Sequence, residues 1–225
     1  VSPDTLKSIS IPDKVDTSIG KLEFFDGVPA NAATVENVYD NLDRMRGTDV
    51  FLDNLGAVSM YSVRKGLDGA GAQGANKIAV FEGLMDSQTL VVTANTSTLY
   101  AYTYTDLAKD GPTVIEIPPG MLGFLNDAWQ RFAGNMGVTG PDKGKGGKYL
   151  VLPPGYAGEV PDGYFLLKPS TNRNFLFLRG SIKNGLEPAV KNITSGLKVY
   201  PLKEANKPAP TEFVNVSMKA FNTIL

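Results

Sequence analysis

The stretch TANTSTLYAYTYTDL, residues 93–107, carries the pattern that decides the fold. From Thr98 onward, β-branched and aromatic side chains dominate and no glycine or proline interrupts them, which is typical of a β-strand. Successive side chains of a strand point to opposite faces. One face therefore carries Thr98, Tyr100, Tyr102 and Tyr104. The stretch predicts a strand with a tyrosine-lined face.

Seven further short runs of similar composition lie around this strand, separated by Gly, Pro, Asp and Asn. They are KIAVFEG (77–83), TLVVTAN (89–95), TVIEIPP (113–119), KYLVLPP (148–154), GYFLLKP (163–169), NFLFLRG (174–180) and LKVYPL (197–202). Many short strands with turn residues between them favour a sandwich or barrel-like β domain over βαβ units. The sequence therefore predicts a mainly β fold with about eight strands.

Helical spacing precedes the strands and interrupts them once. Apolar residues recur at three- and four-residue intervals from Thr34 to Met45, and again from Val50 to Tyr61. Gly47-Thr48-Asp49 separates the two patterns and offers capping residues, so we expect an N-terminal helical hairpin. In GFLNDAWQRFAG, residues 123–134, one more helix is predicted by the spacing of Phe124 or Leu125 with Ala128, Trp129 and Phe132.

Shifts in composition divide the chain into four predicted segments. These are an N-terminal extension (1–33), the helical hairpin (34–73), a β-sandwich-like domain (74–204) and a final segment (205–225). After a Pro- and Ala-rich linker, the final segment starts an apolar pattern and stops at Leu225 without a terminating signal. We interpret it as a linker and the start of a companion domain that is missing from this chain.

Composition narrows the classes of function. The 22 basic and 23 acidic residues give a net charge of −1, so no basic surface for nucleic acid is expected. The chain has no cysteine and no histidine. Thiolate and Ser-His-Asp nucleophiles, disulfides and the usual zinc sites are therefore excluded, and a metal would be a hard cation such as Ca²⁺ or Mg²⁺ held by oxygens.

Targeting signals are weak in this sequence. No apolar run approaches the roughly 20 residues that a membrane helix needs, so we expect no membrane insertion. The opening VSPDTLKS lacks the regions of a signal peptide and fits a mature end left by signal cleavage. We expect a periplasmic or secreted protein, with a cytoplasmic one as the alternative.

Several polar and aromatic residues are candidates for ligand binding. Asn95, Thr98 and Tyr100 would form a wall that meets a small molecule or carbohydrate, or else belong to a half-exposed strand. Asp127 and Trp129 would line a pocket, or else belong to a surface helix with an Asp127–Arg131 pair beside a buried Trp. Arg179 stands among apolar neighbours and joins the set of candidates. Asp106 joins it as an available carboxylate, as are Asp110, Glu116 and Asp127, although spacing alone identifies no catalytic pair among them.

The stretch GPDKGKGGKYLVLPPGY, residues 140–156, has the composition but not the spacing of a phosphate-binding loop. No Gly-Lys-Ser/Thr occurs, and the glycines lead into a strand instead of a helix. A solvated turn is the plainer interpretation. A nest of backbone N–H groups that binds an anion with Lys143, Lys145 or Lys148 is the alternative.

The sequence resembles a bacterial family, domain of unknown function 1254, which is usually followed by a companion domain numbered 1214. The resemblance starts at about Gly20 and rests on LEFFDGVPANAATVENVYDNLDRM, NTSTLY followed by DL and GP, GPDKGKGGKYLVLPPGY, and FLRG. It implies a sandwich or jelly-roll-like architecture with helical decoration in an exported protein. The positions that match the family pattern are Asn95, Thr96, Thr98, Tyr100, Asp106, Asp127, Trp129 and Arg179.

Three functions remain open from the sequence. The first is a module that binds a small molecule, a carbohydrate or its companion domain. The second is a hydrolase or lyase in which Asp or Glu acts with Tyr or Lys, with Ca²⁺ or Mg²⁺ as its metal. The third is a structural or assembly role, in which the chain would form a homo-oligomer.

Overall fold

A computed structural model describes residues 1–87, 89 and 94–217 as two compact units, Val1–Leu55 and Gly56–Leu225. Outside the described residues lie most of the strand predicted at 89–95 and, within the final segment, Met218 to Leu225. No helix of the described residues is long and apolar enough to cross a membrane.

The first unit contains a short helix and a small sheet. Helix α1 (Pro3–Ile9) begins at Ser2, whose hydroxyl accepts a hydrogen bond from the Thr5 amide. Strands β1 (Lys14–Thr17), β2 (Gly20–Phe25) and β3 (Val28–Pro29) form an antiparallel sheet in the order β1-β2-β3. Asn31 then caps the next helix by accepting from the Thr34 amide.

Helix α2 runs without a break from Ala32 to Gly69, so the predicted helical hairpin is wrong. Its residues up to Leu55 belong to the first unit and the rest to the second. The helix passes Gly47 because no atom crowds that residue and one glycine costs a helix only about 1 kcal/mol. The Thr48 hydroxyl donates to the Arg44 carbonyl within the helix instead of capping a new one.

The second unit contains a six-stranded sheet in the order β13-β4-β5-β11-β7-β8. Its strands are β4 (Lys77–Val80), β5 (Thr98–Asp106), β7 (Met121–Asp127), β8 (Phe132–Gly137), β11 (Arg173–Ser181) and β13 (Glu212–Asn215). All neighbours are antiparallel except β13 and β4, which are parallel. The long strands β5 and β11 form the centre of the sheet.

A four-stranded sheet in the order β10-β9-β6-β12 completes the second unit. Its strands are β6 (Thr113–Ile117), β9 (Gly147–Val151), β10 (Phe165–Leu167) and β12 (Lys198–Pro201). Helix α3 (Leu107–Asp110) links β5 to β6, and α4 (Leu186–Gly196) follows β11. A single 3-10 turn, Leu202–Glu204, follows β12.

One hydrophobic core lies between the two sheets. Leu99, Leu125 and Leu178 of the larger sheet and Ile115, Tyr149 and Val199 of the smaller one are fully buried in it, together with Ile193 of α4. The described residues thus confirm the predicted mainly β class with helical decoration, in which two sheets share a core. Burial of these large apolar side chains is the main source of stability.

The helix predicted over residues 123–134 is wrong, because this segment forms β7, a tight turn and β8. Along β7 the side chains alternate strictly, with Leu125 and Asp127 buried. The chain reverses at Gln130, which has a positive φ of 62°, and the Asp127 amide donates to the Arg131 carbonyl. Trp129 and Phe132 are exposed, so the helical spacing of apolar residues does not mark a buried face here.

Candidate functional site

The seven candidate residues fall into two groups at opposite ends of the six-stranded sheet. Asn95, Thr98, Tyr100 and Arg179 lie at one end, where Tyr100 pairs with Arg179. Asp106, Asp127 and Trp129 lie at the other, where Asp106 pairs with Arg173. Strand β5 has nine residues, so its ends are roughly 26 Å apart at about 3.3 Å per residue. The seven residues therefore do not form a single site.

Asn95 forms the turn that leads into β5. Its side-chain oxygen accepts hydrogen bonds from the amides of Ser97, at 2.7 Å, and Thr98, at 2.8 Å. The hydroxyls of the same two residues approach this oxygen at 3.2 Å. This arrangement is an Asx turn, in which the oxygen is used locally.

The tyrosine face of β5 is a packed aromatic layer rather than an open wall. Tyr100 and Tyr102 are buried, and the rings of Tyr102 and Phe177 stack at 5.1 Å. Met60 and Leu67 of α2, with Phe81 and Met85, belong to the same cluster. The Tyr104 hydroxyl donates to the Met60 carbonyl at 2.7 Å and so joins α2 to the sheet.

Asp127 organises the β7–β8 turn. Its carboxylate is buried, and it accepts from the amides of Trp129 and Arg131 at 2.9 Å, from Arg131 Nε at 3.0 Å and from the Ser170 hydroxyl. Burial acts to raise the pKa of Asp127, but the hydrogen bonds from Ser170, the two amides and the guanidinium outweigh it and lower the pKa. A carboxylate held ionised in this way is a structural anchor of the turn.

In the glycine- and lysine-rich stretch, residues 140–156, an acidic side chain accepts hydrogen bonds from nearby backbone amides. The Asp142 carboxylate accepts from the amides of Gly137, at 2.7 Å, and Gly146, at 3.1 Å, and also from the Tyr149 hydroxyl. Asp142 is buried. The backbone donors that an external phosphate would need are therefore already used, which favours the turn over the anion-binding nest.

A charged cleft lies beside Asp106, at the Tyr104 end of β5. It has a volume of about 160 Å³ and is formed by α2, the segment after it, the end of β5, α3 and the start of β11. Its charged lining residues are Arg64, Asp68, Asp106, Lys109, Asp110 and Arg173. Tyr104 and Gln73 also line it. It brings three cations and three carboxylates together within one small space.

The ion pairs in this charged cleft are loose. Arg64 Nε lies 3.7 Å from Asp68 Oδ2, and Arg173 Nε lies 3.4 Å from Asp106 Oδ2. Both distances exceed the usual length of a charge-assisted hydrogen bond, and all four side chains are partly exposed. Each charge can therefore exchange its present partner for a group on a ligand at little cost.

Asp110 differs from the other carboxyls in the charged cleft. Burial is the main cause that raises the pKa of Asp110, Lys109 opposes the rise, and the Asp106 carboxylate adds to it. Burial also raises the pKa of Tyr104, while Arg64 acts to lower it. Within residues 1–87, 89 and 94–217, no group of three Asp or Glu side chains is placed to hold a metal ion.

Of the seven ligand-binding candidates predicted from the sequence, only Asp106 lines the charged cleft. Arg64 and Asp68 stand four residues apart on α2, a spacing that places them on one helix face. Arg173 lies opposite Asp106 because β11 pairs with β5, and this long-range pairing must be known before Arg173 can be identified. Neither Tyr100 nor Trp129 lines the charged cleft.

Comparison with known proteins identifies a family but no activity. A family model described as "Protein of unknown function (DUF1254)" matches residues 75–201, more than half of the 225-residue chain. No curated protein matches. The match spans β4 to β12, so it includes Asp106, Lys109 and Arg173 but not the α2 side of the charged cleft.

Two crystal structures resemble the chain at low sequence identity. The VPA0106 protein of Vibrio parahaemolyticus is 15% identical, with a TM-score of 0.49 and coverage of 70% of this chain and 39% of that one. An uncharacterized protein of Burkholderia cenocepacia is 14% identical, with a TM-score of 0.35 and coverage of 81% and 46%. The chain thus spans less than half the length of either protein.

Proposed function

This chain belongs to the DUF1254 family, and because that description assigns no activity, we propose from the site itself that the charged cleft binds a small zwitterionic molecule. The observation that carries the proposal is the presence of three cations and three carboxylates in the lining of one cleft. A ligand with both a positive and a negative group would satisfy both signs at once, whereas an ion of one sign would meet repulsion from half of the lining.

The size of the charged cleft supports a small ligand. Its volume of about 160 Å³ lies below the roughly 300 Å³ at which sites for drug-sized molecules begin. A second cleft of about 220 Å³ adjoins it and shares Gly74, Ala75, Lys109 and Asp110. Together they fit a molecule of amino-acid size or a slightly longer one.

The expected contacts follow from the chemistry of the side chains. Arg173 presents a planar fork of donors to a ligand carboxylate, and Lys109 contributes a second positive charge. A ligand ammonium group would be attracted to Asp68 or Asp106, each of which already meets a cation in the charged cleft. Tyr104 also lines the charged cleft.

A hydrolase or lyase is the second candidate function, and the pKa of Asp110 favours it. A carboxyl whose pKa is raised retains its proton at a higher pH, so Asp110 would act as a general acid, and Asp106 lies in the same cleft. This function needs the same cleft, so binding is tested first.

The test compares three probes of similar size by backbone ¹H–¹⁵N NMR: 4-aminobutanoate, butanoate and butylammonium. We expect saturable shifts at Thr105, Lys109 and Asp110 with the zwitterion, and much weaker ones with either singly charged probe. Arg173→Ala should weaken binding at least tenfold. Arg46→Ala, which removes an exposed arginine paired with Asp43, is the matched control and should leave binding unchanged.

Equal affinity for all three probes, or no shifts near the charged cleft at tens of millimolar zwitterion, would overturn the proposal. A similar loss of affinity in Arg173→Ala and Arg46→Ala would also count against the proposal, because the loss would then follow from the changed net charge of the protein and not from a contact in the charged cleft.

A further inference from the structure

Arg179 lies at the opposite end of the six-stranded sheet from the charged cleft. It faces the aromatic layer on β11, with Tyr100 beside it on β5 and Leu122 beside it on β7. Its Nε is buried, and among the described residues this atom has no hydrogen-bond partner. A guanidinium is always charged and always a donor, so a buried Nε–H without an acceptor is an unfavourable arrangement.

The other arginines of the second unit differ from Arg179 in this respect. Each directs its Nε toward a carboxylate: Arg64 toward Asp68 at 3.7 Å, Arg131 toward Asp127 at 3.0 Å and Arg173 toward Asp106 at 3.4 Å. Nothing in the described part of the chain gives Arg179 such a partner. A carboxylate is thus the kind of group that the other three arginines of this unit meet and that Arg179 does not meet among the described residues.

Two aromatic rings hold the Arg179 guanidinium in place. Its central carbon lies 5.3 Å from the centre of the Tyr100 ring and 5.2 Å from that of Phe177. Contacts at this distance attract the positive charge and fix its position, but a ring face does not accept the in-plane N–H groups as a carboxylate does. The rings therefore position the side chain, while its Nε–H has no acceptor among the described residues.

We infer that Arg179 anchors a second binding site, which takes a carboxylate group carried on an apolar or aromatic body. The Nε–H and a terminal N–H of the guanidinium would bind the two oxygens side by side, which is the geometry that an arginine fork prefers. This site is separate from the charged cleft and does not depend on the function proposed for it.

The side chains around Arg179 explain why the proposed ligand would carry an apolar or aromatic body. Leu122, the neighbour of Arg179 on β7, is 38% exposed. Phe124 is partly buried and stacks on Phe177 at 4.9 Å with an interplanar angle of 19°. These side chains continue the same face of the sheet, so a ring attached to the carboxylate would pack against them as the carboxylate meets Arg179.

The test observes the arginine Nε–H signals of the ¹⁵N-labelled full chain directly. Arg179→Lys removes one signal and so assigns it. We expect benzoate to shift the Arg179 signal saturably, acetate to shift it with at least fivefold lower affinity, and benzamide, which has the ring but no negative charge, to leave it in place. The Arg131 signal serves as the internal control, because its Nε–H group already donates to the Asp127 carboxylate at 3.0 Å.

No shift of the Arg179 signal with benzoate would overturn the inference. So would a shift of equal size at Arg131, which would indicate unspecific anion binding, or an equal response to benzamide, which would indicate packing of the ring alone.

Thermal unfolding with Arg179→Met, which retains an unbranched apolar stem, separates a binding role from a structural one. We expect benzoate to raise the Tm of the wild type but not that of the variant, and the two proteins to melt within a few degrees of each other without benzoate. A variant that melts far lower without benzoate would show that the guanidinium serves the fold, and would contradict the inference.

Discussion

At Asp127, a single buried carboxylate collects four hydrogen bonds and fixes the turn between β7 and β8. Asp142 does the same for the glycine-rich loop, with two backbone amides and the Tyr149 hydroxyl as its donors. In both places a short acidic side chain satisfies backbone donors that would otherwise need water. These residues are important for the fold, although their charge makes them resemble site residues in the sequence.

Asp127→Asn should destabilise the protein by about 2 kcal/mol at pH 7, because the amide cannot accept from Ser170 and Arg131 as the carboxylate does. Urea unfolding measures the change. Asp43→Asn, which affects an exposed ion pair with Arg46, is the control and should cost less than about 0.5 kcal/mol. Equal effects of the two substitutions would show that Asp127 does not anchor the turn.

Tyr149→Phe should cost about 1 to 2 kcal/mol, because buried Asp142 loses a donor that water cannot easily replace. Tyr200→Phe is the matched control: its hydroxyl donates to Glu116, which also meets Lys148 and Lys198 and is partly open to water. The control should cost less in urea unfolding. The reverse order would contradict the role given to Asp142.

At the scale of elements, the sequence predicts strands better than it predicts helices. The runs around β4, β5, β6, β9 and β11 show apolar and β-branched composition that the structure confirms. Helical spacing misleads at Trp129, because the alternation of Leu125 and Asp127 toward the core determines the local structure. Helix α4 was missed, although the spacing of Leu186, Ala189, Val190 and Ile193 indicates it. The charged cleft depends on long-range register, which no local pattern contains.

Two glycines of α2, Gly47 and Gly56, differ in how closely other atoms approach them, so a matched pair of substitutions tests whether α2 packs closely at Gly56. A Cβ on Gly56 would approach the Trp129 carbonyl oxygen to 2.9 Å, whereas a Cβ on Gly47 would meet no atom within 4 Å. We expect Gly47→Ala to stabilise the protein by about 1 kcal/mol, as alanine does inside a helix. Gly56→Ala should destabilise it by about 1 to 3 kcal/mol through the close contact.

Thermal unfolding followed by far-UV circular dichroism measures both glycine variants. If both raise the Tm, then Gly56 does not pack closely against the β7–β8 turn.

At the scale of the whole molecule, titration of carboxyls sets the response to pH. The chain has no histidine, so no side chain with an ordinary pKa near 6.5 titrates. Burial acts to raise the pKa of Glu116, but the Tyr200 hydroxyl and the lysines Lys148 and Lys198 outweigh it and lower the pKa. The pKa of Asp127 is likewise lowered, whereas burial raises the pKa of Asp110.

Stability should therefore be nearly constant between about pH 6 and 8 and should fall below about pH 5. Asp127 and Glu116 have folded pKa values below their unfolded ones, so their contribution is full above about pH 5 and is lost as the pH falls through the folded values. The folded pKa of Asp110 lies above its unfolded value, so protonation of Asp110 at low pH favours the folded state and offsets part of the loss of stability. Urea unfolding at several pH values should show a shallower acid loss in Asp127→Asn than in the wild type, and parallel curves would contradict this.

The parallel pairing of β13 with β4 has a consequence for how the protein is made. Gly83 and Ser217, which share a hydrogen bond beside this pair, are 134 positions apart, so the ribosome has synthesised nearly all of the described chain before β13 can dock. Until then β4 offers Ile78, Ala79 and Val80 along an unpaired strand edge, which is a template for aggregation. Docking of β13 is therefore a late and slow folding step. Until β13 has docked, the nascent chain should need chaperones that cover the free edge of β4.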